Sequence, residues 1–227
     1  MGEKDIPGSA GVPPAFNKSG QDARVPSGKG WFSRGYLPHF DHAGLLQSIT
    51  FRLADAVPVE TIMQWRQELG LGNEADANDS RMAELRERLE RYEDNGHGDC
   101  HLRRDDAATV AQDALLHFDG KRYRLLAWCV MPNHVHVLVE TTPGYTLSDI
   151  VHSWKSYTAK VINRLIGRDG AVWMPEYHDR YIRDDRHLNA AVEYIETNPV
   201  TAGLVDKEQS WRFSSAHERA GRPRSQE

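Results

Sequence analysis

The feature that most restricts this chain is the run Met131-Pro132-Asn133-His134-Val135-His136-Val137-Leu138-Val139-Glu140. Its β-branched composition suits a strand, and side chains on a strand alternate between faces with a period of two. His134 and His136 therefore point one way, and Val135, Val137 and Val139 point into a core. Two imidazoles held side by side can offer two nitrogens to one divalent metal without distorting the backbone. A His-x-His pair can equally be two half-buried histidines satisfied by hydrogen bonds.

The rest of the chain supplies partners for this strand. Gln47 to Leu53 alternates Ile49, Phe51 and Leu53 against polar residues, which predicts a strand. A helix begins at Pro58 and runs to Gly70, and after a polar break at 73–80 the segment 81–90 reads as a charged helix, mostly solvated. Residues 95–99 form a loop, and 105–118 a third helix. Asp119-Gly120 turns into an apolar run, 121–130, that leads directly to the histidine strand, so the two form an antiparallel hairpin. Beyond Pro143-Gly144, Leu147, Ile150, Val151, Trp154, Thr158, Val161, Ile162 and Leu165 make one helical stripe closed by Gly167. Asp184 or Asp185 caps a last helix containing Leu188, Ala191, Val192, Tyr194 and Ile195, expected to stop before Asn198-Pro199. The class is α+β, antiparallel strands covered by helices on one face.

Hydrophobic residues are 39% of the 227 and charged residues 27%, enough for one well-filled core. Residues 1–30 are rich in Gly, Pro and Ser and predict a disordered N-terminal tail. The aromatic stretch from Trp31 to Phe40 marks the start of a folded domain over 31–216, with 217–227 a flexible C-terminal tail. No run approaches the roughly eighteen apolar residues a membrane span needs, and no apolar segment follows Met1–Asp5, so the expectation is a cytoplasmic protein with no membrane partner. Cys100 and Cys129 stand in no Cys-x-x-Cys spacing and read as buried thiols. The net charge of −5 argues against a nucleic-acid binder as a whole. Residues 151–190, however, hold seven Lys or Arg (Lys155, Lys160, Arg164, Arg168, Arg180, Arg183, Arg186) against five acids.

A metal on the histidines would need a nucleophile beside it. Tyr157 sits at the edge of the apolar stripe and reads as a packing aromatic. Tyr177 lies among polar groups in Trp173-Met174-Pro175-Glu176-Tyr177-His178-Asp179-Arg180-Tyr181-Ile182-Arg183-Asp184, where Pro175 fixes its approach, and is expected to reach a cleft. A phenol of pKa near 10 attacks at neutral pH only if a metal polarises its target or a base takes its proton.

Met131 to His136, the following amphipathic helix, Trp173 with Tyr177 to Asp184, and Tyr194-Ile195-Glu196-Thr197-Asn198-Pro199-Val200-Thr201-Ala202-Gly203-Leu204-Val205 together resemble the IS200-like single-tyrosine transposases. The resemblance is to the branch associated with repetitive extragenic palindromes (REP), whose pattern Arg34 to Asp41 also fits. It implies a histidine-hydrophobe-histidine endonuclease on a ferredoxin-like sheet, with Mg²⁺ or Mn²⁺ on His134 and His136. The partner it implies is single-stranded DNA carrying a palindromic hairpin. Tyr177 would attack phosphorus, giving a 5′-phosphotyrosine link and a free 3′-hydroxyl, and the stored bond energy would allow rejoining without ATP. Asp179, with Glu176 behind it, would complete the metal shell; the glutamine that some relatives place four residues after the tyrosine is Tyr181 here. Lys155, Arg180, Arg183 and Arg186 would contact DNA, although the arginines can equally pair with Asp179, Asp184 and Asp185. His178 would assist proton transfer or stand solvated, and Asn198-Pro199 and Trp211 would be structural. The protein would act as a monomer or homodimer. The competing reading is a catalytically idle hairpin-binding relative. A histidine-triad hydrolase is disfavoured by Leu138 at the third alternating position.

Overall fold

The computed structural model describes residues 31–33, 38–40, 44–72 and 79–221. The expected tail at 1–30 and the last six residues lie outside them. A short antiparallel pair, β1 (Trp31–Ser33) and β2 (Pro38–Phe40), precedes the main sheet. That sheet contains β3 (Leu46–Arg52), β4 (Tyr123–Val130), β5 (His134–Thr141) and β6 (His178–Tyr181), all antiparallel, in the order β4-β5-β3-β6. Three helices, α1 (Val59–Glu68), α2 (Ser80–Asp94) and α3 (Asp105–Leu116), lie between β3 and β4. Helix α4 (Leu147–Ile166) links β5 to β6, and α5 (Asp185–Thr201) and α6 (Ser215–Gly221) follow. This connection and strand order are the ferredoxin-like α+β arrangement expected.

The apolar face of the sheet is as the alternation requires. Ile49, Phe51, Leu53, Val135, Val137 and Val139 are buried with Leu115 of α3 and Ile150, Trp154 and Ile162 of α4. Phe51 stacks on Trp154 at 6.2 Å and meets Trp173 edge-on at 4.9 Å. Two buried polar tips in this layer are paired: the Trp154 indole donates to the Tyr123 hydroxyl at 2.9 Å, which donates to the Leu115 carbonyl at 2.6 Å. A helix also covers the opposite face, where Ala127, Cys129, Met131 and Leu138 are buried against Ile195 of α5.

Three local expectations need correction. Helix α2 is not mainly solvated, because Met82, Leu85, Leu89 and Glu93 recur every three or four residues and form a buried stripe against Ile62, Leu71 and Met174. Helix α5 does not stop before Asn198-Pro199 but runs through Thr201, since a proline this near the C-terminus removes a single donor while both residues are buried by packing. Residues 217–221 are the end of α6. That helix is tied to α5, where Glu196 pairs with Arg219 and accepts from the Ser215 hydroxyl. Cys100 and Cys129 are both buried thiols, as expected. No helix among the described residues is long and apolar enough to cross a membrane.

Candidate active site

The alternation of β5 places His134 and His136 on the α5 face, where each is 1% exposed. Their Nε2 atoms lie 2.9 Å apart. Asn133 fixes the first ring. Its Nδ2 donates to the carbonyls of Glu93 and His97, both at 3.0 Å, which turns its Oδ1 to accept from His134 Nδ1 at 2.8 Å. Nε2 of His134 is then left as a bare acceptor. Thr50, opposite His136 on β3, lies 2.9 Å from His136 Nδ1, and its hydroxyl can donate or accept. When it accepts, both Nε2 lone pairs face one point, the arrangement second-shell groups give to metal-binding histidines.

Asn133 also fastens the C-terminal end of α2 to the start of β5, and this brings Asp94 to the pair. Asp94 Oδ1 is 3.8 Å from His134 Nε2, and ligand atoms of Asp94, His134 and His136 all fall within 4.8 Å of one another. Asp94 Oδ1 is buried and makes no hydrogen bond among the described residues. The Asn198 amide from α5, 2% exposed, lies beside Asp94 and also lacks a well-formed hydrogen bond among those residues. Orphaned donors and acceptors are costly in a native interior. Two neutral imidazoles and a carboxylate around one point, with an amide beside the carboxylate, are donors that suit a divalent cation, so the residues fit one.

The electrostatics agree. Burial, then His136 and Arg52, hold His134 well below the ordinary histidine value, and burial with Arg52 brings His136 to about 3, so both rings are neutral as ligands must be. Burial raises Asp94 to about 6, with the Asn198 amide opposing. Glu90 and Glu93 are each raised to about 7 by burial. Glu93 faces Arg52 at 2.6 Å with both side chains almost fully buried, a pair that anchors α2 to the strand beside His134.

Tyr194 of α5 completes the group. Its ring meets His136 edge-on at 5.4 Å, and 40% of the residue remains exposed. Glu90 lies beside its phenol. Burial, then the charges of Glu90, Asp94 and Glu93, push the phenol well above the ordinary tyrosine range. Tyr194 and Asn198, four residues apart, share one face of α5.

The residues singled out from sequence divide differently. His134 and His136 are brought together as expected. Tyr177, 5% exposed, belongs to the buried cluster of Val135, Val137, Val139 and Trp154, on the far face of the sheet. Asp179 is paired opposite Ile49 and so shares that far face, with Gln47 Nε2 3.5 Å from its carboxylate. Asp94 stands where Asp179 was expected. Lys155 Nζ donates to the carbonyls of Met174 and Pro175 at 2.6 and 2.8 Å. Arg180 lines a cleft beside Tyr194. Arg183 and Arg186 are exposed around the start of α5, the former over the Tyr181 ring. Tyr157 is 55% exposed on α4.

A buried histidine pair on a ferredoxin-like sheet thus faces a helix that carries a tyrosine and an amide one turn apart. Residues 108–198 match the family model "Transposase IS200 like", a match that ends at Asn198. The chain is 28% identical over 106 residues to a Haemophilus influenzae protein provisionally named a REP-associated tyrosine transposase; the match covers 42% of this chain and spans 60% of that relative's length. A solved REP-associated tyrosine transposase bound to a REP hairpin superposes with a TM-score of 0.49 at 18% identity, covering 81% of this chain and 84% of that one. A Deinococcus radiodurans R1 protein provisionally named a transposase gives 0.33 at 18% identity, covering 74% and 96%. At these values neither superposition bears on function.

Proposed function

We propose that this protein is a metal-dependent single-stranded DNA endonuclease that cuts and rejoins DNA beside a palindromic hairpin, with Tyr194 as nucleophile where Tyr177 was first expected. The observation that carries the reading is the convergence of two buried Nε2 atoms, 2.9 Å apart, with the Asp94 carboxylate next to the Tyr194 phenol. The family model and the motif resemblance support the substrate class.

A Mg²⁺ or Mn²⁺ ion held by His134, His136, Asp94 and the Asn198 amide would draw negative charge from a phosphodiester oxygen. The chain does the rest. Tyr194 is protonated at neutral pH and must lose its proton as it attacks, and Glu90 beside it is the group placed to accept that proton. Attack of the phenolic oxygen forms an O–P bond and breaks the bond from phosphorus to the 3′-oxygen, which takes up a proton from water and leaves as a 3′-hydroxyl. The 5′-phosphotyrosine link keeps the phosphodiester's free energy, so the reverse attack rejoins strands without ATP. The amide at Asn198 takes the place that the glutamine four residues beyond the tyrosine holds in some relatives.

The test is a nicking assay with Mn²⁺ on palindromic stem-loop oligonucleotides with single-stranded flanks. Covalently shifted protein is expected, and it should vanish with EDTA and in His136→Ala. Hairpin binding without any cut strand in Mn²⁺ would contradict the proposal and favour the idle hairpin-binding relative.

A further inference from the structure

Helix α5 carries both Tyr194 and Asn198, so the site is only as well placed as that helix. Ile195, 0% exposed, faces the sheet, where it is buried with Ala127, Cys129, Met131 and Leu138. Successive residues of a helix turn by about 100°, so Tyr194 stands on one flank of this line and Glu196 on the other. The first flank meets α2, through Tyr194 at Glu90 and Asn198 at Asp94. The second meets α6: the Ser215 hydroxyl donates to Glu196 Oε1 at 2.5 Å, and Arg219 pairs with the same carboxylate. Ser215, 1% exposed, also accepts from the Trp128 amide of β4 at 3.2 Å. The residues before it are stitched to the same strand, since the Val130 amide donates to the Phe213 carbonyl at 2.9 Å and the Trp211 indole to the Val130 carbonyl at 3.0 Å.

A chain of hydrogen bonds therefore runs from the edge strand of the sheet through Ser215 to α5, on the flank away from the metal ligands. Apolar contact is non-directional and lets a helix roll about its axis, whereas a short, charge-assisted bond on its flank resists the roll. We propose that Ser215 and Glu196 are positioning residues for strand cleavage, fixing the roll of α5 and with it the place of the Tyr194 phenol and the Asn198 amide beside His134 and His136. The inference rests on the reading of Tyr194 as nucleophile and extends the working site to α6, beyond Asn198, where the match to the family model ends. Neither residue touches DNA or metal in this role; each acts through α5. A reacting atom misplaced by about 1 Å can cost on the order of 100-fold in rate.

The experiment uses the full chain. It measures the single-turnover rate of covalent capture with Mn²⁺ and a saturating stem-loop oligonucleotide, and separately the affinity for that oligonucleotide in EDTA by anisotropy. Ser215→Ala and Glu196→Ala should each slow capture about 10- to 100-fold while affinity stays within about twofold. Glu196→Gln, which still accepts from Ser215, should recover most of the rate. The double variant Ser215→Ala/Glu196→Ala should be no slower than the slower single one, because both break one link. Thr158→Val, which takes away the acceptor of the Trp173 indole on the other face of the sheet, weakens the chain elsewhere and should capture at the parent's rate. Parental rates in both alanine variants, or equal slowing in Thr158→Val, would overturn the proposal. Should the unmutated protein capture no strand, the nuclease reading fails, and the hold on α5 is judged from amide exchange in the metal-free chain. There Ser215→Ala should speed exchange along α5 and not along α4, and unchanged exchange would overturn the inference by itself.

Discussion

Toward α3 and α4, strand β5 gives Val135, Val137 and Val139 to a layer that also holds Phe51, Trp154 and Tyr177. Toward α2 and α5 the same strand gives His134 and His136 to a cluster containing Asp94, Asn198 and Tyr194. The two faces alternate residue by residue, yet they solve opposite problems. On the first, the aromatic donors of Tyr123, Trp154 and Trp173 each have an acceptor, the last of them Thr158 Oγ1 at 2.8 Å. On the second, Asp94 Oδ1 and the Asn198 amide are buried without a well-formed hydrogen bond among the described residues. The dry face supplies the rigidity that lets the other hold atoms in an arrangement costly without a ligand.

The comparison breaks most decisively at the two tyrosines. Tyr194→Phe should abolish covalent DNA capture, read as a band shift in denaturing gels, whereas Tyr177→Phe should leave it intact. Next in size, His136→Ala should remove Mn²⁺-dependent cleavage while hairpin affinity stays within a few fold, since binding comes from phosphate and base contacts away from the rings. Equal loss of both would mean that the histidines hold the fold. Stability sharpens the contrast further. Trp154→Ala on the dry face should cost about 3–5 kcal/mol in urea unfolding without changing Mn²⁺ affinity in the fraction that remains folded. Breaking the buried ion pair with Arg52→Ala should cost a similar amount, about 3–5 kcal/mol. It should also weaken Mn²⁺ binding, because that pair seats the helix carrying Asp94.

A smaller effect concerns pH. Glu90 and Glu93, near 7, and Asp94, near 6, hold their protons more tightly in the folded chain than carboxyls ordinarily do. The folded state therefore binds more protons than the unfolded one between the ordinary carboxyl range and about 7. Metal-free stability should fall as pH rises through that window. The metal-free protein should melt several degrees higher at pH 5 than at pH 7.5, and saturating Mn²⁺ should narrow the gap by stabilising the ionised ligands. A melting temperature that rises with pH in EDTA would show that these carboxyls are not crowded as described.

The histidine strand was legible because one periodicity fixed both its structure and the facing of its side chains. The proposed nucleophile was not, although a signal existed: Tyr194 and Asn198 stand one helical turn apart. Counting Tyr194 into an apolar stripe and ending the helix before Pro199 concealed it. Tyr177 drew attention through its polar neighbours, but its place just before β6 turns it into the core. Asp94 was hidden by the abundance of charge on α2, even though Met82, Leu85, Leu89 and Glu93 mark a buried stripe that ends beside it. The meeting of Asp94 with the histidines depends on the Asn133 hydrogen bonds across the chain, and no local pattern encodes it.

Trypsin separates the rival tyrosines, releasing Tyr177 in 169–180 and Tyr194 in 187–207. Mass spectrometry of those peptides, after Mn²⁺ incubation with a cleavable stem-loop oligonucleotide, should find the nucleotide adduct on Tyr194 within 187–207. An adduct on 169–180 would place the chemistry on the wrong face of the sheet and contradict the account.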